Sequence, residues 1–547
     1  MAKNLNTKSC FGPLAELANR VGRNERKLAV LLFTLVLAAA SCGSPPTDPR
    51  TAIPEDALIF VETRDLGRLI RAVTESPRFA EAAENKPDLR AIDGIEMAVA
   101  VTGFETIEQP VTDSNSVLNF RPRFVAVAET RLWNFQVLGF VENELGLFIS
   151  EAYGGEAKLE ISEKHGGRYF IWLGQDGQKA FALVLGSLII FGNDESALER
   201  ALATRNGELG SIAKRNDLTE PAGLISGFIS KDGIAQLANI SGISLANRAS
   251  DDADVQSFVA RVLPEVLRNT VTEVRWTSQS VENGIEDRLT ISTVNETGAV
   301  LGESMAAAEG GPLGLERFIP DTIVSATRYN LKDPRVAWRA ALMTAQRQTD
   351  ELSGKLLLAF SDSLFEPYGI DNAEQFLASV DTQLITARFD GEGDRQVVIA
   401  RVKDRATLMN SVAQELRSEK PTEAEQGTIV WRSAEGDVAM TIAGDVVVIG
   451  NPDAVQRSLE SGKRASGSEL PMSIKTLAAS TAAAITIGGD SEISGRIADV
   501  LSAKRSNEAP IVARYTTETR INQKAIERTS VSDFGIIGSI IALFAAE

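Results

Sequence analysis

Two stretches far apart in the chain carry one hydrophobic pattern. In residues 166–202, an aromatic-rich apolar run ending at Trp172 meets a polar turn at Asp176-Gly177. The run Phe181–Leu185 follows, then Gly186-Ser187, then Leu188–Phe191, which stops at Gly192-Asn193. Residues 427–459 repeat this order: a run containing Trp431, a turn at Glu435-Gly436, an apolar run, Gly444-Asp445, Val446–Ile449, then Gly450-Asn451. Short runs rich in β-branched and aromatic residues, separated by two-residue Gly-containing links, predict antiparallel hairpins. Behind each Gly-Asn pair, Ala197, Leu198, Ala201 and Leu202, or the segment opening at Pro452, predict a helix. Asn193 and Asn451 are the expected caps, with Pro452 at the first helical position. Each unit reads as a three-stranded meander followed by a helix.

Other segments recur in the same order. Ile53-Pro54-Glu55-Asp56-Ala57-Leu58 matches Ile319-Pro320-Asp321-Thr322-Ile323-Val324. Each predicts a strand leading to a helix, with Leu66, Leu69, Ile70 and Val73 facing inward in one, and Val336, Ala340 and Met343 in the other. Phe124–Ala128 matches Val397–Arg401, and Val274-Arg275-Trp276-Thr277 matches Ala513-Arg514-Tyr515-Thr516, which pairs Arg275 with Arg514 and Asn283 with Asn522. The expected fold is α+β, with two tandem, similar domains, each mainly antiparallel sheet with packed helices. The first covers 53–292 and the second 319–547. A linker over 293–318 joins them, either flexible or partly helical at Ser304–Glu309.

Ahead of the repeats the pattern changes. Arg20, Arg23, Arg26 and Lys27 precede the uncharged run Leu28–Ala40, and small residues lead to Cys42. That is the order of a secretory signal peptide over 1–42, and the run is too short to span a bilayer, which takes about 20 apolar residues. Ala39-Ala40-Ser41-Cys42 resembles the lipobox of bacterial lipoproteins, and that resemblance implies lipidation at Cys42. Ordinary cleavage after Ala40, at an Ala38-x-Ala40 site, is the alternative. Either Met1 or Val21 serves as the start. The chain's two cysteines, Cys10 and Cys42, both lie in this leader, so the body forms no disulfide. Residues 43–52, with Pro45, Pro46 and Pro49, read as a tether between membrane and body.

Charge narrows the partners. Past residue 42 the chain keeps 50 basic and 72 acidic residues, a net charge of −22 (50 − 72) against −18 for the whole. Binding to nucleic acid depends on cationic side chains, so none is expected as a partner. An acidic body is also repelled by anionic lipid, which leaves the anchor at Cys42 as the membrane contact. The other partner is an unidentified envelope protein or ligand.

No catalytic, cofactor or metal motif stands out. The single histidine, His165, lies in a polar Gly-containing turn. Ser211-Ile212-Ala213-Lys214 has Ser-x-x-Lys spacing in a polar context. Asp390-Gly391-Glu392-Gly393-Asp394 alternates carboxylates but lacks the central glycine and distal glutamate of a calcium loop. Gly174–Lys179 lacks phosphate-loop spacing. The uncharged tail Phe534–Ala546 is expected to pack on the second repeat, with a membrane or partner contact as the alternative. The body therefore reads as a non-catalytic interaction or scaffold module. The alternatives are a cleft-type ligand-binding protein and a hydrolase built on carboxylates alone.

Three features together resemble a family: the exported leader, the Pro54-Glu55-Asp56-Ala57-Leu58 strand heading a duplicated α+β body, and the tail Asp533-Phe534-Gly535-Ile536-Ile537-Gly538. The chain resembles a bacterial domain-of-unknown-function family of exported or lipid-anchored envelope proteins. That family has no assigned catalytic residues, so the resemblance implies an address and a fold.

Overall fold

The computed structural model describes residues 47–545, apart from 113–114, 176, 216–217, 219–222, 250–252, 312, 392–393, 419–420, 424–428, 464–469 and 502–510. The expected signal peptide, Cys42 and most of the expected tether lie outside the described residues. The first repeat contributes β1 (Ile59–Thr63), β2 (Glu96–Thr112), β3 (Asn115–Glu129), β4 (Lys158–Lys164), β5 (Gly167–Leu173), β6 (Lys179–Leu185), β7 (Leu188–Gly192), β8 (Ile225–Ile229), β9 (Val271–Val281) and β10 (Gly284–Thr293). The second contributes β11 (Ser325–Asn330), β12 (Val380–Arg388), β13 (Gln396–Val402), β14 (Thr422–Glu423), β15 (Ile429–Arg432), β16 (Ala439–Ala443), β17 (Val446–Gly450), β18 (Ala484–Asp490), β19 (Ala513–Ile521) and β20 (Ala525–Ser532).

Every pairing between these strands is antiparallel, and together they form a 20-stranded sheet. The first half runs β4-β5-β6-β7-β3-β2-β1-β8-β9-β10, and the second runs β14-β15-β16-β17-β13-β12-β11-β18-β19-β20. The halves share one strand order. They meet where β10 pairs with β20, from Ile285 opposite Ser532 to Ser292 opposite Ala525. The sheet passes from one repeat into the other without a break.

The apolar runs of the central hairpins have a simple cause. Tyr169, Phe181, Leu183 and Ile190 face one layer, with the helix Glu195–Arg205. Phe170, Trp172, Ala182 and Ile189 face the other, with Val137, Val141 and Ile149 from the helical run Asn134–Ala152. A strand covered on both faces has no polar side to alternate with. Gly192 and Gly450 hold equivalent places at the sheet's inner turn. A Cβ would stand 2.6 Å from the Phe124 carbonyl oxygen at Gly192 and 2.2 Å from that of Gln396 at Gly450. No larger residue fits either site.

Register corrects several equivalences read from sequence. Val125 pairs with Gly192 and Val397 with Gly450, so Phe124–Ala128 is displaced by one residue from its proposed match. Ile229 pairs with Val274, and its equivalent Gly488 pairs with Tyr515. Val274 therefore corresponds to Tyr515, and neither Arg275 with Arg514 nor Asn283 with Asn522 is an equivalent pair. Trp172 and Trp431 sit on corresponding strands, but Trp431 occupies the register of Phe170. Asp194, not Asn193, caps the helix after Gly192 by accepting from Ala197 N. Asn193 instead accepts from Phe124 N at 3.0 Å and donates to Pro122 O at 2.8 Å. Asn451 caps its helix as expected. In the helix Pro334–Arg347, Val336 and Met343 are exposed, and Pro334 and Ala337 are buried.

The repeats also preserve a charge pair with its sign reversed. A shift of 266 positions (319 − 53) carries Ile53-Pro54 onto Ile319-Pro320 and the turn Pro49–Ala52 onto Leu315–Phe318. It also carries Arg50 onto Glu316 and Glu62 onto Arg328. Arg50 Nε lies 3.7 Å from Glu62 Oε2, and Arg328 Nη1 lies 3.7 Å from Glu316 Oε1. Opposite charges at matched positions are the pattern expected of two copies that diverged while keeping a buried pair neutral.

The connecting regions are more ordered than the sequence pattern implies. Pro49 and Ala52 of the expected tether are buried against the body. The expected linker holds the helix Asn295–Ser304 and the turn Leu315–Phe318. Its helix precedes the proposed Ser304–Glu309.

Candidate functional site

The seam between the repeats brings polar and apolar groups of both copies together. The tail turns at Asp533, and the helix Gly535–Ala542 crosses one face of the seam. Phe534, Ile537 and Ile541 bury against Ile285, Leu69 and Val73 of the first repeat and Ile497 and Ala513 of the second. The tail, expected to pack on the second repeat, straddles both. Helix start and strand are tied together by Asp287 on β10, whose Oδ2 accepts from Ile536 N at 2.8 Å. Its other oxygen accepts from the Ser278 hydroxyl on β9.

Between this helix and the sheet lies a cavity of about 350 Å³. Trp276 and Leu289 wall it from the first repeat, and Ile493, Tyr515, Phe534 and Ile536 from the second. Alternation on the paired strands places Trp276, Leu289 and Arg528 on one face, since Leu289 pairs with both Trp276 and Arg528. The carboxylates in the lining are already engaged. Asp490 accepts from Glu492 N at 2.8 Å and Ile493 N at 3.0 Å, and Asp533 accepts from Arg514 N at 2.7 Å. Arg528 is exposed on this face, and among the described residues its guanidinium has no carboxylate within 4.0 Å; Arg514, one residue before Tyr515, alternates to the opposite face of β19. An apolar wall with an open cationic fork suits an apolar ligand that carries an anionic group.

Burial pushes the Asp287 carboxyl above its ordinary value; the Ser278 hydroxyl and Ile536 N–H oppose that shift. A raised folded pKa means the contribution to stability is greatest in acid and is lost as pH rises through that folded value. Asp287→Asn keeps one acceptor for Ile536 N and gains a donor for Ser278, and it carries no charge. Denaturation of both proteins across pH 3–7 should show the parent gaining on Asp287→Asn as pH falls. Parallel profiles would contradict this. Asp287→Ala leaves Ile536 N without its acceptor and should cost about 1–3 kcal/mol at every pH.

The groups singled out in the sequence do not converge on this site. Cys42 lies outside the described residues. His165 is exposed in the β4–β5 turn with φ of 53°. Ser211 Oγ donates to Arg50 O at 2.7 Å and accepts from Ala213 N at 3.1 Å, while Lys214 is exposed. Asp390 accepts from Arg395 N at 3.0 Å and closes the β12–β13 turn, in which Glu392 and Gly393 lie outside the described residues. Gly174 N donates to Gln178 O at 2.9 Å and closes the β5–β6 hairpin. Among the described residues no group of three or more His, Cys, Asp or Glu side chains is placed to hold a metal. Sequence reasoning missed Trp276, Asp287 and Arg528. Of the three, only Arg528 has a local signal, the alternation along β20 that sets Arg528, Ser530 and Ser532 on one face.

No known protein family matches the chain, and no curated protein does. Among solved structures, crystal form I of TP0453 aligns with 46% of this chain and 80% of its own, at 11% identity and a TM-score of 0.23. Crystal form III of TP0453 aligns with 43% of this chain and 99% of its own, at 10% identity and a TM-score of 0.22. Likeness at this level assigns no function.

Proposed function

We propose that the chain is an exported, lipid-anchored protein of a bacterial envelope whose two-repeat body works by binding, with the seam cavity as its ligand site. The observation that carries this is the cavity's chemistry: apolar walls from both repeats, carboxylates committed to backbone N–H groups, and Arg528 open on the same face. Of the readings left by the sequence, a cleft-type binding module fits this best. A carboxylate hydrolase would need an acid whose oxygens are free to exchange protons with substrate, and Asp287 spends both oxygens holding β9 and the terminal helix.

A diazirine-bearing fatty acid photocrosslinked to the full chain in lipid nanodiscs tests the reading. Saturable adducts are expected on the peptides carrying Trp276–Leu289 and Tyr515–Ile536. The charge-reversed variant Arg528→Glu should lose most of them while melting as the parent does. Adducts that do not saturate, or that survive Arg528→Glu, would contradict the site.

A further inference from the structure

The chain's first described residues end beside an exposed aromatic surface. Thr47 N donates to Glu129 Oε2 at 3.1 Å, and Arg131 N donates to Glu129 Oε1 at 2.9 Å. Glu129 is the last residue of β3 and is 1% exposed. A buried carboxylate thus clamps the tether's end to the start of the next segment. That segment opens with Leu132, Trp133 and Phe135; Trp133 is 56% and Phe135 72% exposed. The helical run Asn134–Ala152 then buries Val137, Val141 and Ile149 against Phe170 and Trp172, and leaves Leu147 and Phe148 more than half exposed. In the second repeat, the corresponding helices Arg405–Ser411 and Gln414–Ser418 show no large exposed apolar side chain among their described residues. The surface is an addition to one copy, on the side where the tether leaves.

Distance identifies what covers it. Cys42 precedes Thr47 by five positions (47 − 42). At 3.3–3.6 Å per residue the extended tether reaches roughly 17 Å. A lipid at Cys42 therefore keeps Thr47, and the Glu129 it contacts, within roughly 17 Å of the bilayer surface. Trp and Phe partition well into the headgroup boundary, where a flat ring is apolar and the indole N–H still finds a partner. Glu142 and Glu144 are exposed on the same run, so anionic lipid adds no attraction. Free in solution, a surface without a cationic face would bind lipid poorly. Tethered, it meets the interface at a high effective concentration, and weak contacts suffice.

We propose that Leu132, Trp133, Phe135, Leu147 and Phe148 lie in the lipid–water interface of the membrane that holds the anchor, and orient the body on it. This rests on the lipid-anchor reading of Cys42.

The full chain is reconstituted in phosphatidylcholine vesicles with and without brominated acyl chains, and tryptophan emission is recorded. Its acyl group is assayed in the same sample by mass spectrometry. Brominated lipid should quench an emission component that disappears in Trp133→Phe. Phe135→Ser with Phe148→Ser should remove more than half of that quenching, with the melting transition unchanged. An acylated protein in which parent and Trp133→Phe are quenched alike overturns the proposal. So does a Trp133 shielded from aqueous acrylamide but not quenched by bromine, the result expected if an uncleaved leader or a second copy covers the surface. A protein lacking the acyl group fails the anchor reading instead, and the assay separates the two failures.

Discussion

Arg328→Ala is expected to lower the unfolding free energy by about 3–5 kcal/mol in chemical denaturation. Arg328 is 1% exposed and Glu316 3%. The guanidinium donates to Ala478 O at 2.8 Å and to Ser480 O, and stands 3.7 Å from Glu316 Oε1. Burial holds its pKa below the ordinary arginine value, with Glu316 pulling the other way. Removing Arg328 strands a buried carboxylate and two carbonyls. Arg328→Met with Glu316→Leu removes both charges, and should recover most of the loss, leaving the cost of the two unpaired carbonyls. Exchanging the charges, Glu316→Arg with Arg328→Glu, should recover little, although the first repeat carries that polarity. There Glu62 is served by the Ser226 hydroxyl at 2.9 Å, whereas position 328 faces carbonyl oxygens. Each copy has fixed its own polarity through these neighbours. The corresponding Glu62→Ala should cost less, because Arg50 remains paired with Asp48. An Arg328→Ala protein as stable as the parent would refute this account of the pair.

Legibility followed the range of the interactions. Two-residue hairpins at Gly186-Ser187 and Gly444-Asp445 were readable because positive φ at Gly186 and Gly444 is a local demand. The α+β class and the doubled order of elements came from the same local signals. Alignment slipped by one residue at β3 and β13, where residues on both faces are apolar and the pattern has no phase. It slipped by two at β9 and β19, where half-buried polar residues leave only a face to match. The inward face of Pro334–Arg347 was misread because Ala337 does the packing that larger side chains seemed to promise. The seam was hidden for another reason. Asp287 and Ile536 stand 249 positions apart, and neither segment alone shows that the tail returns to the middle of the sheet. The reversed polarity of Arg50–Glu62 and Glu316–Arg328 was likewise hidden, because the match of Ile53 with Ile319 gives the shift but not which side chains meet.

Location carries the largest expected effect. Among the described residues no helix is long and apolar enough to cross a membrane; in the proposed reading, attachment rests on a lipid at Cys42. At about 0.8 kcal/mol per buried methylene, one acyl chain binds only reversibly and more than one holds. In the same reading, the exposed aromatics of residues 132–148 would add orientation but not retention.

Feeding labelled fatty acid to bacteria that express the full chain, beside its Cys42→Ser variant, tests the anchor most directly. The account predicts label in the parent, none in the variant, and release of the variant from the membrane fraction. Label that persists in Cys42→Ser, or a parent that takes up none, would contradict it.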